Sequence, residues 1–176
     1  ARGGFGAIIQ PMTMTMRLVL PAATAAVLTL VSAISFARAA EATAGDLAIT
    51  VAWARATPPG AETGAAYLTI ENRGEAVDRI VSAASPVARS VEPHQAIAEN
   101  GMIKMRPLAD PVVPAGGKLE MQPGGAHMML VGLSAPLKEG ERIPFTIVFE
   151  TAGAVTLDLP VAPIGASAPP EAHHQN

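Results

Sequence analysis

Two histidines and two methionines have the most distinctive spacing in this chain. Ten residues separate His94 from Met105, and His127 stands two positions before Met129. Residues two apart on a β-strand point to the same face, so His127 and Met129 would share a face. His94 and Met105 flank Asn100 and Gly101, a dipeptide typical of tight hairpin turns, and would lie on the two arms of that hairpin. The spacing therefore predicts that these four side chains can surround one ion.

Imidazole and thioether donors together suit copper(I), a soft ion without a strong geometric demand. Hard cations such as Mg²⁺ and Ca²⁺ need oxygen ligands, and zinc normally takes thiolate, carboxylate or more histidines. The chain has no cysteine, which excludes disulfides, thiolate zinc sites, iron–sulfur clusters and the thiolate-bound copper of electron carriers. We therefore predict one copper(I) ion held by His94, Met105, His127 and Met129.

Each of these residues also has a purely structural interpretation. His94 follows a proline and would then be a solvated histidine at a loop edge, whereas His127 would be a hydrogen-bonded turn residue. The three other methionines of the domain are predicted to fill the core, because a lone methionine in an apolar strand usually does: Met102, Met121 and Met128. His173 and His174 near the C-terminus are candidates for a second, labile copper site. No triad-like serine or distinctive carboxylate pair occurs, so we predict that the protein is not an enzyme.

The elements that must position these side chains are predicted to be short β-strands. Apolar residues make up 49% of the chain, and 16 glycines and 16 prolines interrupt it. Segments such as 47–53 and 65–71 alternate large apolar with small or polar residues, which is typical of half-buried strands. Turn signals at intervals of roughly 8–12 residues predict an all-β Greek-key sandwich of eight or nine strands.

The composition divides the chain into a leader, one domain and a tail. Residues 12–39 contain Arg17, an uncharged apolar run over 18–37 and small residues before Ala40, which is the pattern of a cleaved signal peptide. A second cleavage point follows Ala42, and an uncleaved membrane anchor is the alternative, weakened by Pro21. Residues 1–11 are expected to be upstream or expression-derived sequence. The folded domain is predicted over 45–162, followed by a disordered tail over 163–176.

The expected partners follow from charge and export. The chain carries a formal net charge of −3, with no basic run and few aromatic residues, which argues against binding of nucleic acid. Export through a bacterial inner membrane predicts a periplasmic protein whose mature domain is not embedded in the membrane. Because no exposed apolar helix or long edge strand stands out, we expect a monomer.

The sequence resembles the periplasmic PCu(A)C copper chaperones. Their signature, His-x10-Met-x21-His-x-Met, is matched by His94, Met105, His127 and Met129. The resemblance covers about residues 46–161 and extends to several turns and strands: 65–72, 91–94, 101–106, 114–117, 123–125, 132–137 and 149–153. One departure is Gln95, which stands where the family frequently has a methionine and removes an auxiliary thioether.

The resemblance implies a cupredoxin-like sandwich with a solvent-accessible copper(I) site. It further implies delivery of copper to respiratory oxidase assembly, notably to the dinuclear copper centre of cytochrome c oxidase. The acceptor would then be the copper subunit of that oxidase or a thiol-based assembly factor. The pair His173 and His174 is similar to histidine-bearing tails that are associated with copper(II). Copper storage or resistance and a metal-free structural sandwich stay open as alternatives.

Overall fold

Eleven β-strands run through residues 40–170, the part of the chain that this computed structural model describes. The predicted leader (1–39) and the pair His173 and His174 lie outside the described residues. The strands are β1 (Ala42–Ala44), β2 (Leu47–Arg55), β3 (Thr63–Asn72), β4 (Asp78–Ala84), β5 (Ala88–Glu99), β6 (Met102–Pro107), β7 (Val112–Val113), β8 (Lys118–Met121), β9 (Ala126–Leu133), β10 (Arg142–Phe149) and β11 (Gly153–Ala162).

Seven of these strands close into a ring. They follow the order β2-β11-β10-β4-β5-β9-β3, and β3 pairs back with β2. The β11–β2 pair is parallel, whereas the other pairs of the ring are antiparallel. The remaining strands attach at its margins, β1 to β2, β6 to β5, β7 to β4 and β8 to β3. The all-β, cupredoxin-like sandwich predicted from the sequence is confirmed, in the form of a closed barrel.

The interior of the barrel takes one face of each strand, as the alternation in the sequence predicts. Residues that are buried there include Leu68, Met128, Leu130, Phe145, Ile147 and Leu159. The core positions predicted for Met121 and Met128 are confirmed, but the one predicted for Met102 is wrong. Met102 is 59% exposed, because β6 pairs with β5 alone and lies beyond the ring of strands.

A buried carboxylate joins the start of β4 to the turn between β10 and β11. Asp78 accepts hydrogen bonds from the backbone N–H groups of Arg79, Thr151 and Ala152, at 2.8, 3.0 and 2.9 Å. Burial opposes the charged form of Asp78, but these backbone donors outweigh it and hold the pKa below its ordinary value. The carboxylate therefore fixes the closed end of the β10–β11 hairpin.

The ordered chain extends past both predicted ends of the domain. The backbone N–H of Ala40 donates to the carbonyl of Ala52 at 2.8 Å, so contacts begin before residue 45. After β11, the carbonyl of Ala166 accepts a hydrogen bond from Arg55, and Ala166 packs against the cluster formed by Trp53, Tyr67 and Ala162. The first residues of the predicted disordered tail therefore have defined contacts. Within residues 40–170 we find no helix that is long and apolar enough to cross a membrane.

Candidate metal centre

β5 and β9 hold His94 and His127 directly opposite each other. The centroids of the two rings are 6.5 Å apart, and the ring planes differ by 27°. On β9, the neighbours Met128 and Leu130 are turned into the barrel, so the alternating residues His127 and Met129 are on its outer face. His127 is nevertheless buried, whereas His94 is half-buried. The two imidazoles therefore form a pair on the outer wall of the barrel.

The same kind of backbone contact orients each of the two imidazoles. The Nδ1 atom of His94 lies 3.2 Å from the carbonyl oxygen of Glu92, and the Nδ1 atom of His127 lies 3.2 Å from that of Gly125. A carbonyl oxygen can only accept, so Nδ1 carries the proton in each neutral ring and Nε2 keeps its lone pair. Such a second contact is the usual way in which a protein fixes a metal-binding histidine. Both rings are therefore set up to donate from Nε2.

The two methionines lie beside this pair. Met129 is half-buried on the same face of β9, between Glu92 of β5 and Ala65 of β3. Met105 of β6 is opposite Ala96, two residues along from His94, so it is a diagonal neighbour on the same face. Met105, His127 and Met129 line one open depression of about 280 Å³. The structure thus brings three of the predicted residues into one depression, with His94 adjacent through His127.

The β5–β6 hairpin forms the outer wall of the depression. Asn100 (φ 53°) and Gly101 (φ 76°) both adopt the left-handed conformation of a tight hairpin turn, which confirms the turn predicted there. All six residues of β6 are exposed; Met105 is 58% exposed. On the opposite face of the hairpin, Lys104 and Arg106 form ion pairs with Glu99 at 2.9 and 2.8 Å. The face that carries Met105 is apolar and open to solvent.

The sequence analysis did not predict the pair of aromatic side chains, Trp53 and Tyr67, next to this depression. The ring centroids of Trp53 and Tyr67 are 4.6 Å apart, and Tyr67 lies 6.4 Å from His127. The guanidinium of Arg55 lies 5.1 Å from the centre of the Tyr67 ring. Burial raises the pKa of Tyr67, and the charge of Arg55 partly offsets that increase. Trp53 and Arg55 are two apart on β2, so the period-2 pattern could have placed both on the outer face.

The donor set decides which ions fit. Within residues 40–170, no group of three or more histidine, cysteine or carboxylate side chains could hold a metal ion. An ion bound in this depression would therefore depend on the thioethers of Met105 and Met129 together with imidazole. Thioether is a soft ligand that suits copper(I) and does not suit Mg²⁺ or Ca²⁺. The side chains on the outer wall fit copper(I).

Comparison with known proteins gives a consistent result. A family model described as "Putative lipoprotein LpqE-like" matches residues 47–161. "Putative lipoprotein Lxx21020" of Leifsonia xyli subsp. xyli is 33% identical over 119 residues, which cover 67% of this chain and 70% of that protein.

Solved structures with a similar fold are PCuAC domains and a related protein. The copper-bound PCuAC domain from PmoF2 is 29% identical, with a TM-score of 0.60, over 70% of this chain and 97% of that one. The apo PCuAC domain from PmoF1 is 26% identical, with a TM-score of 0.60, over 70% of this chain and 98% of that one. Apo-DR1885 from Deinococcus radiodurans is 27% identical, with a TM-score of 0.53, over 92% of this chain and 97% of that one.

Proposed function

The chain belongs to the LpqE-like family of PCu(A)C-type domains, and from that premise we propose that it is an exported copper(I) metallochaperone. In this proposal one copper(I) ion is bound by His94, Met105, His127 and Met129. The protein catalyses no reaction of its own and passes the ion to an acceptor by ligand exchange. The observation that carries the proposal is the pair of imidazoles, each with its Nδ1 held at a backbone carbonyl, beside two thioethers on one outer face.

The neutral donor set supports binding of copper(I) as cargo. Two imidazoles and two thioethers add no charge, so the bound ion would keep a net charge of +1 that water and a partner can still stabilise. Thioethers bind copper(I) less tightly than thiolates do and do not form disulfides in an oxidising compartment. The fixed Nδ1–H tautomers mean that the two histidines need no rearrangement before they donate. Moderate affinity with a prepared geometry is what a carrier requires.

Exposure of the ligands supports transfer over permanent retention. Met105 is 58% exposed, and Ile103 beside it on the same apolar face of the hairpin is 77% exposed. An incoming ligand from another protein could therefore replace the Met105 thioether without opening the barrel. The half-buried Met129 and the buried His127 would release the ion later.

Export and the identity of the acceptor are further parts of the proposal. The apolar run over 18–37 and the lipoprotein names of the matching family and relative support export. We expect a periplasmic monomer that delivers copper to the dinuclear centre of cytochrome c oxidase, directly or through a thiol-based assembly factor. Copper storage or resistance uses the same ligands and is the second candidate. A minor copper(II) site at His173 and His174 completes the proposal.

A copper(I) titration under reducing conditions against a competing chelator tests the binding step. The protein should bind one equivalent at the barrel site, and X-ray absorption should show mixed nitrogen and sulfur ligands. His127→Ala should weaken copper(I) binding by at least about a hundredfold, since even residues that only orient a metal ligand contribute 10–100-fold. Met102→Ala is the matched control, because Met102 is exposed on the same hairpin but faces away from His127.

A transfer assay tests the chaperone step. Copper-loaded protein is mixed with the apo form of the soluble dinuclear-copper domain of an oxidase, in the presence and absence of a reduced thiol carrier. Movement of copper(I) to either acceptor within minutes is the expected result. Retention of copper by this protein would favour storage, and unchanged affinity in His127→Ala would remove the proposed site altogether.

A further inference from the structure

Arg55 brings an uncompensated positive charge to the candidate copper centre. It lines the same depression as Met105, His127 and Met129. Its Nη2 donates to the carbonyl of Ala166, and its buried Nε has no hydrogen-bond partner among the residues that the structure describes. Over the same residues, no carboxylate forms an ion pair with it. The guanidinium charge is therefore not neutralised locally.

Several other cations of the domain are instead paired with carboxylates. Arg79 pairs with Asp110 and Glu150, and Glu99 pairs with Lys104 and Arg106. Arg55 instead lies over an aromatic ring and bonds a neutral carbonyl. Since buried polar groups are normally hydrogen-bonded, a half-buried guanidinium whose buried Nε has no partner among the described residues calls for an explanation in terms of the neighbouring ligand site.

The position of the charge is bounded by two measured separations. The guanidinium carbon lies 5.1 Å from the Tyr67 ring centroid, which lies 6.4 Å from the His127 ring centroid, so Arg55 is at most 11.5 Å from the His127 ring. The ring contact and the bond to Ala166 hold the side chain there. The charge therefore acts on any ion in the depression over a distance at which Coulomb interactions are still appreciable.

We propose that Arg55 is a specificity-determining residue that biases this centre towards copper(I) and against copper(II). The inference rests on the proposed function, because it assumes that the depression binds copper. The four proposed ligands are neutral, so the charge of the centre is the charge of the ion. Copper(II) carries one more positive charge than copper(I), and the fixed guanidinium repels it correspondingly more. The centre would then hold its cargo in the reduced state while the protein works in an oxidising compartment.

Coulomb's law sets the size of the effect. One unit charge acting on another across about 10 Å, at an effective dielectric constant of about 20, changes an equilibrium constant roughly fifteenfold. The depression is open to water, which screens the charge further. We therefore expect removal of the charge to raise copper(I) affinity about three- to tenfold and copper(II) affinity by about the square of that factor. The ratio of copper(I) to copper(II) affinity should fall about three- to tenfold.

The test compares Arg55→Gln with Arg55→Lys. Affinities for copper(I) and copper(II) are measured against separate chelators, and the copper reduction potential is measured on the same samples. Arg55→Gln should bind both ions more tightly, lower the affinity ratio and lower the potential, whereas Arg55→Lys should keep the wild-type ratio. Arg142→Gln is the matched control, since Arg142 is an exposed arginine of β10 that donates to the Asp158 carbonyl.

An unchanged ratio in Arg55→Gln, or equal shifts in the glutamine and lysine variants, would overturn the inference. Should Arg55→Gln fail to fold, the wild-type ratio is followed as ionic strength rises to about 1 M, where screening should lower it. A flat response would then count against the electrostatic role. Failure of the proposed function is distinguishable, because it would appear as absent copper(I) binding in the wild type or as no loss in His127→Ala.

Discussion

Adjacent methionines on β9 offer the sharpest test of where the proposed copper centre lies relative to the core. Met128 is fully buried inside the barrel, whereas Met129 is half-buried on the outer face in the open depression. They are the same residue type, on one strand, one position apart. Met128→Ala should therefore affect folding, and Met129→Ala should affect copper binding.

The expected magnitudes differ by mechanism. Met128→Ala leaves a cavity among packed side chains, which typically lowers the free energy of unfolding by about 2–5 kcal/mol. For a domain of this size, at about 3–5 °C per kcal/mol, that corresponds to a fall in melting temperature of roughly 6–25 °C. Met129→Ala removes a side chain that already contacts solvent, so we expect a cost of about 1 kcal/mol or less. Loss of its thioether should lower copper(I) affinity by at least about a hundredfold.

Two measurements on each variant separate these effects. Urea unfolding of the apo protein gives the free energy of unfolding, and competition with a copper(I) chelator gives the affinity. Met128→Ala should retain copper affinity within a few-fold, provided that the titration is made well below its melting temperature. Met128→Leu is a useful control, because a swap of similar volume in a core usually costs less than about 1.5 kcal/mol.

The reverse pattern would refute this reasoning. If Met129→Ala kept full copper affinity, the thioether on the outer face would not be a ligand. If Met128→Ala lost copper while its unfolding free energy was unchanged, the two faces of β9 would be assigned the wrong way round. Loss of both properties in both variants would mean that the centre and the core are not separable.

Two further predictions concern the carboxylate at β4 and the hairpin turn. Because the folded-state pKa of Asp78 is depressed, its stabilisation should be complete above its unfolded pKa of about 3.9 and be lost as pH falls through the lower folded value. Urea unfolding of Asp78→Asn should therefore show a lower free energy of unfolding at pH 7 and a weaker dependence on pH in the acid range. An unchanged dependence on acid pH would contradict this. Gly101→Ala places a side chain at φ 76°, which lowers the free energy of unfolding by roughly 1–2 kcal/mol through backbone strain, since no other atom is near enough to clash. Hydrogen exchange should speed up over residues 96–107, and copper(I) affinity should fall severalfold. Unchanged protection of β6 would show that the turn does not hold Met105.

The sequence predicted the strands well because most of them are long enough to show a period of two. Eight or nine strands were predicted, and β1 and β7 were not among them because segments of three and two residues cannot display an alternation. Closure of the barrel could not be predicted, since it depends on β2 pairing with β11 more than 100 residues away, through Ala54 and Val161. A pairing of that range leaves no local signal in either strand.

The candidate centre shows the same division between local and long-range information. The turn at Asn100 and Gly101 and the shared face of His127 and Met129 were readable because each depends on neighbours in sequence. The exposure of Met102 was not, because a strand pattern does not tell whether a second layer covers the strand. The register that places Met105 opposite Ala96 follows from the same two-residue turn. The pairing of β5 with β9 that places His94 opposite His127 has no such local signal.

The placement of the candidate centre on the outside of the barrel has a consequence for exchange. The interior is filled by apolar side chains from the ring of strands. Of the four proposed copper ligands, only His127 is buried, and it lies on the outer face. The apo protein should therefore keep the same fold as the loaded one, without having to open its core to release copper. A carrier with its ligands in the core would have to open to give up the ion. In the proposed exchange, the exposed Met105 would let an acceptor begin while the two histidines stay fixed by the carbonyls of Glu92 and Gly125.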